Sequence, residues 1–194
     1  MHPIGKFHTQ NKSNCDRNQS NSLIKFAERR LMNNEQKLDK IDINILAILQ
    51  QNGRIKNIDL AEIVGLSASP CLQRIKRLEK MGFIKRYQAV IEINKIIETI
   101  QVFTQITIQE HTLEDHNYFE KQIVKTPEVM ECYLSSGGFD YLVKFVCRSI
   151  IHYQSTIQSL LDSDLGIKKY HSYVIMKEIV SKKPYPIEHL IKPE

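Results

Sequence analysis

Apolar and polar positions change rhythm twice along the 194-residue chain. Through residues 1–36 the apolar side chains are too scattered among Asn, Gln, Ser, His and Lys to bury one another. Such a stretch cannot offset its ordering entropy, and it reads as a disordered extension with a short helix near Ser22 to Met32. From residue 38 the spacing becomes helical. Ile41, Ile45, Ile48 and Leu49 fall on one face of a first helix, and Asn52-Gly53 is expected to end it, the glycine in a left-handed conformation. A second, short helix starts at a capping Asn57 and buries Leu60, Ala61 and Val64. Gly65 makes the turn, Leu66 packs inward, and Ser67 is placed to cap a third helix. Pro70 is tolerated in its first turn, where amides lack intrahelical partners, and Met81-Gly82 ends it. Two helices joined by a short glycine-containing turn form the pattern of a helix-turn-helix. Phe83-Ile84 and Tyr87 to Ile93 read as a small hairpin or wing, and residues 94–100 as linker.

From residue 100 onward, strand-like alternation and helical spacing take turns. Val102, Ile106 and Ile108 mark a strand; Thr112 caps a helix carrying Phe119 and Ile123. Val129 to Leu134 and Tyr141 to Cys147 are strands. Ser149 caps a helix with Ile150, Tyr153, Ile157, Leu160 and Leu161 at helical spacing, and Tyr170 to Ile179 is a last strand. The order β-α-β-β-α-β is the ferredoxin-like arrangement. The fold class is therefore α+β: an extension over 1–36, a winged helix-turn-helix with linker over 38–99, a ferredoxin-like βαββαβ domain over 100–181, and a tail over 182–194. Tyr133, Tyr141, Val143 and Phe145 are bulkier than a solvated sheet face needs, which points to sheet-to-sheet dimerisation.

Composition narrows the class. With 42% apolar and 25% charged residues the chain can build a core, and no apolar run approaches the roughly 20 residues that span a bilayer. A polar N-terminus without an apolar stretch argues against secretion, and translation starting at Met32 would fit the sharp change in composition. Four cysteines (Cys15, Cys71, Cys132, Cys147) stand far apart, which suits reduced thiols in a cytoplasmic, nucleoid-associated protein. Charge is uneven. Residues 37–90 hold 10 Lys/Arg against 5 Asp/Glu, whereas residues 91–194 hold 11 against 14. A compact basic segment is the footprint of a polyanion binder, because neutralised phosphates release counterions.

The third helix gives that charge a geometry. At about 100° per residue, Cys71, Ile75 and Leu78 share a core face, while Ser69, Gln73, Lys76, Arg77 and Lys80 lie opposite and Arg74 on the boundary. Gln can pair with adenine in a bidentate way and Ser with several base edges. Lys and Arg grip phosphates and set register. The expected DNA-contacting residues are Ser67, Ser69, Pro70, Gln73, Arg74, Lys76 and Arg77, with double-stranded DNA as partner.

Leu38-Asp39-Lys40-Ile41-Asp42, Asn52-Gly53-Arg54, Val64-Gly65-Leu66-Ser67-Ala68-Ser69-Pro70-Cys71 and Arg74-Ile75-Lys76-Arg77-Leu78-Glu79 resemble the Lrp/AsnC family, the leucine- and asparagine-responsive (feast/famine) transcription regulators. The resemblance runs from Leu38 to Ile187 and places the helix-turn-helix at Asn57 to Lys76. It implies a homodimer, often assembled into octamers.

The Ser136-Gly137-Gly138-Phe139-Asp140-Tyr141 stretch reads in two ways. Its glycines could bring amides to a carboxylate and Asp140 could accept from an ammonium, or the stretch could be an ordinary hairpin turn. The resemblance implies that the matching family stretch lines a site between subunits where amino acids bind. Ser136, Gly137, Gly138, Asp140 and Tyr141 are the expected effector-binding residues, an amino acid the expected effector. Neither a cofactor nor a metal is expected: His111 and His116 are poorly spaced for one, and no phosphate loop, Gly-x-Ser-x-Gly elbow or His-Glu-x-x-His helix occurs. The reading is therefore a regulator and not an enzyme. The alternatives are a weakly specific, DNA-bridging architectural protein, or an effector-binding protein whose basic helices are incidental.

Overall fold

A computed structural model describes residues 38–110, 112–181 and 183–191. The polar extension with its helix and Met32 start, Cys15 and His111 lie outside the described residues. Contacts divide the chain into two units. The first runs to Gln88 and takes back the segment from Pro184, and the second is Ala89–Lys183. The division thus falls ahead of the linker that the sequence assigns to the first domain, and the tail joins the N-terminal unit.

In the first unit, α1 (Lys40–Gln51), α2 (Asn57–Ile63) and α3 (Ala68–Lys80) enclose Ile45, Leu60, Ala61, Cys71 and Leu78. The α2–α3 turn needs the left-handed backbone of Gly65 (φ 70°), and Leu66 N–H closes it on the Ala61 carbonyl at 2.8 Å. A second left-handed glycine, Gly82 (φ 78°), ends α3. The Phe83 amide bonds back to the Leu78 carbonyl and the Gly82 amide to that of Glu79, a Schellman closure. Gly53 does not adopt that conformation; a Cβ there would stand 3.6 Å from the Tyr87 ring instead.

Three local expectations are corrected. Lys56, not Asn57, holds the N-cap position of α2, and the Asn57 side-chain amide donates to the Ala68 carbonyl at 2.8 Å, tying the two helices together. Ser67 occupies the N-cap position of α3, but its hydroxyl makes no capping bond. The hairpin wing is absent. Among the described residues no strand lies between α3 and β1 (Ile100–Ile108), only a single turn of 3₁₀ helix at Ile93–Lys95. A strand requires a neighbour for its ladder bonds, and the segment beyond Tyr87 pairs with none among the described residues.

The second unit is a four-stranded antiparallel sheet in the order β2-β3-β1-β4, from β1, β2 (Val129–Leu134), β3 (Tyr141–Cys147) and β4 (Ile167–Val174). Helices α4 (Leu113–Ile123) and α5 (Ile150–Asp162) complete the βαββαβ order. Thr112 and Ser149 cap them as the sequence predicts, through the amides of Asp115 and His152. Strict alternation in β1 and β3 sends Val102, Ile106, Ile108, Tyr141, Val143, Phe145 and Cys147 to the helices, where Phe119, Ile123, Tyr153 and Ile157 meet them. Tyr141, Val143 and Phe145 are thus core residues and not part of a dimerising face. A one-residue difference in phase puts Phe103, Leu142 and Val146 on the outer face instead, together with the half-exposed Tyr133 and Tyr173.

After β4 the tail forms α6 (Ile187–Ile191) within the first unit. The Gln50 amide clasps the Tyr185 backbone both ways, accepting from its N–H at 3.0 Å and donating to its carbonyl at 3.3 Å.

Candidate nucleic-acid interface and ligand loop

Helix α3 sorts its side chains by period. Cys71 and Leu78 are fully buried, while Ser67, Ser69, Pro70, Gln73, Lys76, Arg77 and Lys80 are exposed. Hydroxyl and amide tips lie toward the N-terminal half, and cations follow one to two turns later. The positive end of the helix dipole adds to that arrangement. Ala68 and Leu72, which the sequence did not single out as contacts, are exposed beside them, Leu72 at 42%. Both are apolar groups of the kind that meet a thymine methyl.

The arginines are not equivalent. Arg74 Nη1 donates to Asp39 Oδ2 at 2.6 Å and to Asp42 Oδ1 at 2.8 Å. Arg77 Nη2 donates to Asp42 Oδ2. Asp39 and Asp42 are themselves the capping box that starts α1, each accepting from the other's amide. The Asp39 carboxyl lies below the usual carboxylate range, first because the Asp42 amide bonds it and then because Arg74 does. The Arg74 guanidinium is correspondingly held further toward the charged form, by Asp39 first and Asp42 second. Sequence reasoning missed both aspartates, although Asp39-x-x-Asp42 just ahead of the apolar-periodic run is a helix-start signature. At the other end of α3, the Tyr87 hydroxyl donates to Glu79 Oε1 at 2.8 Å. Burial first, and Glu79 after it, pushes that phenol up to about 12.

The loop between β2 and β3 is organised differently. Ser136, Gly137 and Gly138 are exposed, and neither glycine has a positive φ. The Gly137 amide donates to the Ser135 hydroxyl at 3.2 Å, and the Ser135 amide to the Asp140 carbonyl at 2.7 Å. Asp140 is half-buried and its carboxylate accepts from the Ile108 amide at 2.8 Å, fastening the loop to the end of β1. Tyr141 leaves the loop altogether. Only 1% exposed, it stacks on Phe119 with ring centroids 4.4 Å apart. Its hydroxyl donates to Glu120 Oε1 at 2.9 Å and meets His116 Nδ1 at 2.8 Å. Burial, then Glu120, raises the phenol far above its ordinary range. Thus Ser136, Gly137, Gly138 and Asp140 form one surface loop, and Tyr141 belongs to the core beneath it.

Among the described residues no group of three or more His, Cys, Asp or Glu side chains could hold a metal ion, and no helix is long and apolar enough to cross a membrane. Cys71, Cys132 and Cys147 are free thiols, and burial pushes that of Cys132 up to about 11.

Comparison with known proteins gives both units a counterpart. A winged helix-turn-helix DNA-binding model matches residues 38–85, and an Lrp/AsnC ligand-binding domain model matches residues 101–185. The transcriptional regulatory protein DoeX of Halomonas elongata is 43% identical over 148 residues, covering 76% of this chain and 92% of that protein. The leucine-responsive regulatory protein of Escherichia coli is 38% identical over 142 residues, covering 73% and 87%. A transcriptional regulator of Neisseria meningitidis, crystallised with L-Met, superposes with a TM-score of 0.74 at 34% identity, over 80% of this chain and all 100% of that one.

Proposed function

This chain belongs to the Lrp/AsnC family of transcription regulators, which are not enzymes, and from that premise we propose that it reads duplex DNA through the N-terminal half of α3. The observation that carries the reading is the outward set Ser69, Gln73 and Lys76 on a helix whose other face is locked in the core. Ser69 and Gln73 address base edges, with Pro70 and Ser67 beside them. Lys76 and Arg77 address phosphates. Arg74, which the sequence assigns to the same task, is engaged by two carboxylates and serves the fold.

One such helix reads too few base pairs for useful specificity, so two copies related by a twofold axis meet half-sites about one turn apart. The outer sheet face, with Phe103, Leu142, Val146, Tyr133 and Tyr173, supports a homodimer joined sheet to sheet, and the family resemblance supports further assembly to octamers. The β2–β3 loop, through Ser136, Gly137, Gly138 and Asp140, is our candidate for the part of the site that senses an amino acid. The L-Met bound to the Neisseria meningitidis regulator supports that class of effector. A chain of this kind works beside the chromosome, in the cytoplasm.

The test is selection from a random duplex pool by the full-length chain, with and without each amino acid. A single enriched motif with twofold symmetry is the expected result. Uniform binding of all duplexes over long tracts would favour the DNA-bridging alternative, and amino-acid binding without any DNA binding would favour the effector-binding one.

A further inference from the structure

Two of the cations on α3 are held by one carboxylate. Asp42 is 0% exposed, and both of its oxygens are occupied, Oδ1 by Arg74 and Oδ2 by Arg77 and the Asp39 amide. A buried carboxylate without such partners is costly, so the arrangement stands or falls as a unit. The two arginines differ in what remains for a ligand. Arg74, with its side chain 27% exposed, spends one nitrogen on two carboxylates, so a phosphate there would stand beside the half-exposed Asp39. Arg77 is 48% exposed and, among the described residues, gives one nitrogen to Asp42 and nothing to any other group. A guanidinium has five N–H donors in a rigid fork, so one edge can be anchored while the other stays available.

We infer that Asp42 is a positioning residue for DNA recognition, fixing Arg74 as a strut between α1 and α3 and presenting Arg77, already ordered, to a backbone phosphate. The inference rests on the reading of α3 as the helix that meets DNA. Its consequence is that Asp42, itself fully buried, acts through Arg77. Ordering a long side chain before binding removes a cost of about 0.5–1.5 kcal/mol at the moment of association, so losing the anchor should weaken binding roughly two- to thirteenfold.

The experiment is fluorescence anisotropy of the full-length chain on a duplex that it has itself enriched from a random pool, over a salt series. Arg77→Ala should lower the salt slope by about one, and Arg74→Gln should leave the slope unchanged while lowering the melting temperature. Asp42→Asn should weaken binding by the factor above, and Arg77→Ala should then cost less in that background than in the wild type. Arg77→Lys should not rescue, because an ammonium cannot span both partners with fixed geometry. Additive losses from Asp42→Asn and Arg77→Ala would overturn the inference, as would Arg74→Gln flattening the slope as much as Arg77→Ala does. Where Asp42→Asn fails to fold by circular dichroism, Arg77→Lys decides alone: binding equal to the wild type overturns the positioning role. A wild-type chain that enriches no duplex sinks the reading of α3 itself. Intact selection with additive losses sinks only the role of Asp42.

Discussion

Helix α3 and the β2–β3 loop both carry residue types suited to a site, and they treat their side chains in opposite ways. In α3, Ser69, Gln73 and Lys76 stand in solvent while the opposite face of the helix is committed to the core through Cys71 and Leu78. In the loop, Asp140 already serves the Ile108 amide and Tyr141 fills the core. A helix has a period, so one buried residue fixes which way its neighbours point. A loop has none, and its polar groups satisfy the chain's own backbone before any ligand arrives. The lesson is that residue spacing fixes which side chains face solvent on a regular element and leaves it open on a turn.

The contrast can be broken from either side. The largest expected effect is Tyr141→Ala. Loss of a buried aromatic from its stack on Phe119 should cost about 3–5 kcal/mol in chemical denaturation; a small cost with abolished amino-acid binding would return Tyr141 to the ligand site. Next, Gln73→Ala should leave stability within about 0.5 kcal/mol and remove about 1–3 kcal/mol of discrimination at one position per half-site. Equal binding of matched and mismatched duplexes by the wild type would refute that. Asp140→Ala should cost about 1–2 kcal/mol in the ligand-free protein, because the Ile108 amide loses its acceptor. No change in stability would mean the carboxylate is available to a ligand after all.

The smallest effect concerns acid. Asp39 is held below its ordinary value of 3.8 in the folded chain, so it binds fewer protons there than when unfolded. Its contribution is fully present above that value and fades as pH falls through the lower, folded one. Half exposure and screening keep it small. An acid titration followed by helical circular dichroism should show earlier loss in the wild type than its neutral-pH stability implies. Asp39→Asn should flatten that step, and superimposable acid profiles would refute the assignment.

Much of this was legible in the chain. The three N-terminal helices, the Gly65 turn, the caps Thr112 and Ser149 and the βαββαβ order follow from spacing and cap chemistry that act over four residues or fewer. Two long-range pairings share a cause for staying hidden. The Asp42–Arg77 pairing spans 35 positions, and the Gln50–Tyr185 clasp spans 135. Neither has a local signature. The phase of β3 does have a local marker, Lys144 between Val143 and Phe145, which sets Leu142, Lys144 and Val146 on the outer face; side-chain bulk alone points the other way, because Tyr141, Val143 and Phe145 are the larger set.

Local periodicity therefore determined the elements, their order and the outward face of α3, because backbone geometry repeats within a few residues and needs no partner to do so. Tertiary packing alone decided which arginine bonds both Asp39 and Asp42 and where the tail lies, because those choices rest on pairing energies between groups far apart in the chain.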